Sequence, residues 1–178
     1  MRGRWLLGTV VAIVLVASAC TPRPAAIGGD PCLVGEYRLS SQELLRPLHS
    51  PVGSVTLAGG VGGRTLSIRA DGTSSVSADG SDPITVTGTD VSGSVLIAAT
   101  GTGTWTTSAG ARVDLAVTGL TGTVTFDGSV AGTPQHIVLD LGVSGLGDAI
   151  APKGSATYTC GDALTLRTGS VTWTWTRA

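Results

Sequence analysis

Asparagine is missing from all 178 residues. The chain therefore offers no acceptor for N-linked glycosylation, and Asp-Gly has to take the hairpin role that Asn-Gly often fills. Lysine occurs once, as Lys153, and aromatic residues make up 4% of the chain. No basic patch interleaves with aromatics, which argues against a nucleic-acid partner. The two histidines, His49 in "PLHSPVG" and His136 in "TPQHIVLDL", stand outside any His-Glu-x-x-His metal motif. Both read as surface residues, one in a Pro-flanked loop and one at the start of a strand. No serine sits in a Gly-x-Ser-x-Gly elbow. "LAGGVGGRT" lacks the lysine of a phosphate-binding loop and reads as a mobile loop. Asp71, Asp79 and Asp82 in "ADGTSSVSADGSDP" lack the spacing of a calcium loop and fit hairpin turns better. These gaps lead us to expect no cofactor, no metal and no enzyme activity.

What is present begins with an address. Arg2 and Arg4 precede an apolar run, Trp5 to Val16, and Ala17-Ser18-Ala19 follows. That is the order of a secretory signal. The run is shorter than the roughly 20 residues of a spanning helix, although a retained anchor helix is the alternative. Cys20 comes directly after the small residues, and "ASAC" resembles the lipobox of bacterial lipoproteins. The resemblance implies that residues 1–19 are a cleaved signal peptide and that Cys20 carries a diacylglyceryl group. It places the protein on the extracytoplasmic face of the cell membrane, lipid-anchored. Each buried methylene contributes about 0.8 kcal/mol, so two acyl chains hold a domain to a bilayer. Loss of Arg2 and Arg4 takes the formal charge from −1 to −3. Residues 20–30, rich in Pro, Ala and Gly, read as a tether reaching about 35 Å at most. With Cys20 lipidated, Cys32 and Cys160 form an even pair in a compartment where disulfides persist. Two unpaired buried thiols are the alternative.

Residues 31–178 read as one domain. Mean hydropathy is +0.34, and alternation of apolar with polar residues argues half-buried strands. In "SVTWTWT", Val171, Trp173 and Trp175 share a face. The same holds for Val113, Leu115 and Val117, for Val124 and Phe126, for Leu66 and Ile68, and for Leu164 and Leu166. "HIVLDLGV" aligns Ile137, Leu139, Leu141 and Val143 as a strand. Turns are expected at Asp71-Gly72, Asp79-Gly80, Ser92-Gly93, Asp127-Gly128 and Gly161-Asp162. One segment differs: "SSQELLRPL" has the Ser40/Glu43 spacing of a capping box, which predicts a short helix stopped by Pro47. Its Leu44, Leu45 and Leu48 would cover a barrel end. The fold class is all-β, with about 8–10 strands in an antiparallel up-and-down barrel or, alternatively, a sandwich.

The ends of the domain carry a second resemblance. "GEY" at 35–37, "DGT" at 71–73, "GDALTL" at 161–166 and "WTR" at 175–177 are similar to the motifs of lipocalin-like (calycin) barrels. Tyr37 stands where that family has Trp. They also resemble exported lipoproteins of high-GC Gram-positive bacteria, whose barrels are stapled by an N-terminal and a C-terminal cysteine. The resemblance implies that Arg177 stacks on Tyr37 where the barrel closes and that a Cys32–Cys160 bridge joins neighbouring strands. In a sandwich, Tyr37, Trp173 and Trp175 would be ordinary core aromatics. The resemblance further implies a small hydrophobic or amphipathic, lipid-like ligand inside the barrel. The alternative is a structural or interaction protein of the cell envelope that acts through its surface. A large interior cavity favours the first, and a filled core with an exposed apolar patch favours the second.

Overall fold

The computed structural model describes residues 29–44, 48–50, 53–144 and 151–178. A 3-10 turn, Pro31–Leu33, leads into twelve strands: β1 (Gly35–Leu44), β2 (Leu48–Ser50), β3 (Gly53–Gly59), β4 (Arg64–Ile68), β5 (Thr73–Asp79), β6 (Ile84–Gly88), β7 (Val91–Ser108), β8 (Arg112–Val130), β9 (Thr133–Asp140), β10 (Gly154–Cys160), β11 (Ala163–Arg167) and β12 (Val171–Arg177). A single helical turn, α1 (Leu141–Ser144), follows β9.

Eight of these strands close a barrel in the order β1-β4-β5-β7-β8-β10-β11-β12, with β12 returning to β1. Every neighbour is antiparallel and the order follows the chain, so the barrel is up-and-down with excursions. The remaining strands β2, β3, β6 and β9 build a second sheet on extensions of β7 and β8. β5 ends at Asp79, opposite Ala98, and β7 continues beyond that point with β6 on one side and β8 on the other. We call this six-stranded sheet, β2-β3-β6-β7-β8-β9, the wing.

Register explains how one hairpin serves both bodies. The inward phase of β7 runs unbroken through Val95, Ile97, Ala99 and Trp105. On β8 it switches from Val113 and Leu115 to Val124 and Phe126. A register shift opposite Thr100/Thr102 absorbs the change, as one extra residue reverses alternation. Two apolar clusters result. The barrel core holds Tyr37, Leu66, Ile68, Trp105, Leu115, Leu164, Leu166, Trp173 and Trp175. The wing core holds Val55, Ile84, Val86, Val95, Ile97 and Val124, with Leu141 of α1 packed on it.

Several sequence expectations are corrected here. Ser40 to Leu44 is strand rather than helix. Its Ser40 hydroxyl donates to the Thr174 carbonyl at 2.8 Å instead of capping a turn, and pairing with β12 overrides the local signal. Leu44 packs against the barrel core, whereas Leu45 lies outside the described residues. His49 belongs to β2 and pairs with Ser54, so it is not in a loop. Ser92-Gly93 and Asp127-Gly128 are strand interior, not turns. Gly93 and Gly128 face each other, and a Cβ on Gly128 would stand 2.6 Å from the Phe126 ring and 2.3 Å from the Ser92 carbonyl. Phe126 therefore lies over the glycine pair. The turn after β8 is Ala131-Gly132, joining it to β9, both residues with positive φ (50° and 79°), as a two-residue type I′ turn requires. β9 ends at Asp140, whose carboxylate accepts the Gly142 N–H at 2.7 Å, so Leu141 and Val143 lie on α1 and do not extend the strand. "LAGGVGGRT" is tied down: it ends β3 and starts β4, and Asp82 accepts the Gly62 N–H at 2.6 Å.

Candidate functional site

A ligand inside the barrel needs room, and side chains take it. Trp105, Trp173, Trp175, Tyr37, Leu33, Leu164 and Leu166 are all fully buried. An eight-stranded barrel is about wide enough for side chains to fill. Gly101 on β7 is closely packed as well: a Cβ there would stand 2.9 Å from Leu120 and 3.3 Å from Val117 and Val76. The void lined by Leu66, Val76, Leu115, Val117 and Pro152 measures about 10 Å³, room for one water at most. The hollow beside Arg112, Ser155, Thr157 and Arg167, about 220 Å³, opens to the outside.

One end of the barrel is closed by a lid. The 3-10 turn seats Leu33 in the core, and Asp30 caps the turn by accepting the Cys32 N–H at 2.9 Å. Asp30 also accepts the Tyr158 hydroxyl at 2.8 Å, and its N–H donates to Thr107 at 3.2 Å. The Cys32 N–H and the Tyr158 hydroxyl hold the Asp30 carboxyl below its ordinary value, against a smaller cost of burial. The Tyr37 hydroxyl donates to the Leu33 carbonyl at 2.9 Å. Burial raises the Tyr37 phenol, and the nearby Arg177 charge opposes that rise. The Arg177 guanidinium carbon lies 5.5 Å from the Tyr37 ring centroid, and its two terminal nitrogens donate to the carbonyls of Val34 (3.3 Å) and Cys32 (3.2 Å). Tyr37 and Arg177 pair directly across β1 and β12. Cys32 and Cys160 form a disulfide with Cα atoms 6.2 Å apart, but it does not join neighbouring strands: it pins the lid to the end of β10, which β11 and β12 separate from β1. Cys20 lies outside the described residues.

The other end holds a residue that the sequence reading missed. Arg64 is buried, and it donates to the Gln42 side-chain oxygen at 2.7 Å. Burial lowers its pKa, and Asp82 opposes this. The signal was available, because Arg64 shares the inward phase of Leu66 and Ile68. Two further polar groups stand out inside the barrel: the indole N–H groups of Trp173 and Trp175 are buried with no hydrogen-bond partner among the described residues. The Trp105 indole, by contrast, donates to the Arg69 carbonyl at 2.8 Å.

His136 is exposed on β9 and hydrogen-bonds Asp127 opposite it on β8. Asp71 accepts from the Thr73 N–H at 2.9 Å, and Asp79 from the Ser81 N–H at 2.9 Å; each closes its own turn. No cluster of three metal-ligating side chains occurs among the described residues. No family model, curated protein or solved structure matches this chain, so its architecture and its side chains are what speak for its role.

Proposed function

We propose that the chain is an exported lipoprotein, anchored through Cys20, whose barrel is a closed scaffold and whose outer surface meets other components of the cell envelope. One observation carries this reading: the barrel axis is occupied by Trp105, Trp173, Trp175 and Tyr37. The exposed large apolar residues Val138 and Leu139 on the wing point the same way. The disulfide supports export, because such bonds persist outside the cytosol. In this reading the protein is not an enzyme.

A second reading keeps a small amphipathic ligand inside the barrel. The unpartnered indoles of Trp173 and Trp175 favour it, because a ligand oxygen would satisfy donors that otherwise cost about 1–3 kcal/mol each. Native mass spectrometry of the chain carrying Cys20→Ser, before and after denaturation, separates the two. A bare mass supports the scaffold; a released lipid-sized adduct overturns it. Incorporation of labelled palmitate into the wild-type chain, and its loss in Cys20→Ser, tests the anchor.

A further inference from the structure

The wing ends on an unprotected strand. Among the described residues no strand pairs with the outer edge of β9. Natural sheets blunt such edges with lysines, bulges, prolines or brevity. The opposite edge, β2, is three residues long. β9 is eight residues long, holds an unbroken register with β8, and carries its one proline, Pro134, near its start. It also bears Val138 (55% exposed) and Leu139 (42% exposed), the exposed large apolar residues of the described chain.

The edge specifies its own register. The β8–β9 turn closes on the Val130–Thr133 pair, which is hydrogen-bonded in a two-residue hairpin. Alternation then aims the backbone groups of Gln135, Ile137 and Leu139 at β8 and those of His136 and Val138 outward. The sequence across this edge reads His136-Ile137-Val138-Leu139-Asp140. In antiparallel pairing about a two-fold axis at Val138, His136 of each copy faces Asp140 of the other. Ile137 faces Leu139, and the two valines meet. The strand thus presents a pattern of polar and apolar residues whose complement is itself, at residues whose backbone groups have no strand partner on that side among the described residues.

We propose that β9 is a self-association edge, and that two copies of this chain join through it in the register centred on Val138. The inference needs neither the lipid nor the surface reading above, because the edge is the same with or without Cys20 modified. Paired strands run in opposite directions, so the partner copies point apart, and the test belongs in detergent solution, where no bilayer fixes orientation.

The experiment is oxidative cross-linking of the full chain purified in detergent. Val138→Cys brings the two Cα atoms to about 5.5 Å, within disulfide range. Thr125 pairs with Val138 from the neighbouring strand, so Thr125→Cys puts its two copies about 15 Å apart, three strand spacings, and serves as the control. The expected result is a covalent product of twice the chain mass for Val138→Cys, absent from Thr125→Cys and from wild type, with Val138→Lys shifting the untreated protein to monomer. No dimer at position 138, equal cross-linking at 125, a product of another mass, or a dimer that survives Val138→Lys would each overturn the proposal.

Discussion

Replacing Cys32 and Cys160 together by serine, in a chain that also carries Cys20→Ser, isolates the contribution of the lid's one covalent bond. The two cysteines are 128 residues apart. Loop-closure entropy for that separation amounts to about 5 kcal/mol at 25 °C. The native side should change little. Cys32 stays held by its N–H to Asp30 and by its carbonyl, which accepts from Tyr37 and Arg177. The loss then falls on the unfolded chain, which gains freedom. Urea unfolding followed by tryptophan fluorescence reads this well, because Trp105, Trp173 and Trp175 are all buried in the barrel core. With a slope of about 2 kcal/mol/M, the midpoint should fall by about 2.5 M, and the slope itself should rise as the denatured state expands. A fall below about 0.5 M with an unchanged native spectrum would refute the loop-closure argument.

Three further outcomes follow from the barrel. Trp105→Phe removes a buried hydrogen bond to Arg69, whereas Trp173→Phe removes a donor that has none; the first should cost about 1–3 kcal/mol more than the second in the same urea assay. An equal cost would mean that something satisfies the Trp173 indole. Tyr37→Phe should destabilise by about 1–2 kcal/mol through its lost bond to the Leu33 carbonyl, with cooperative unfolding retained. Asp30 has a folded pKa below its ordinary value of 3.8, so its contribution is present above that pH and is lost as pH falls through the folded value. Midpoints measured from pH 5 to pH 2 should fall less steeply for Asp30→Asn than for wild type.

The barrel was legible because its strands alternate cleanly. Val171, Trp173 and Trp175, or Leu164 and Leu166, announce an inward face before any partner is known. The wing was not legible, for a physical reason. Alternation tells which way a residue points but not how far its strand runs. The glycines at 93 and 128 therefore read as breaks, when they are a facing pair inside the longest hairpin. The misread helix at Ser40 has the same origin, since a capping-box spacing is local and the β12 partner of this segment lies about 130 residues away. Trp105 was hidden in a run of glycine and threonine. Its place in the core depends on which strands face it across the axis, and no local pattern carries that information. Of the residues expected to matter, Cys32, Cys160, Tyr37 and Arg177 meet at the lid, and the structure adds Asp30 and Tyr158 to them.

The lid and the wing sit at opposite ends of the barrel, and this has a consequence for standoff. The β7–β8 hairpin is about 60 Å long when extended at the usual rise for eighteen residues. Strands β2, β3, β6 and β9, with residues 91–100 of β7 and 121–130 of β8, contain no lysine or arginine, and they carry Asp127 and Asp140. A chain tethered at its lid end to an anionic bilayer would find no lysine or arginine on those strands to draw the wing down. Electrostatic attraction to such a surface fades within about 8–10 Å in any case. Such a tether would let the molecule stand upright, with its acidic, open-edged tip at the greatest distance from the membrane.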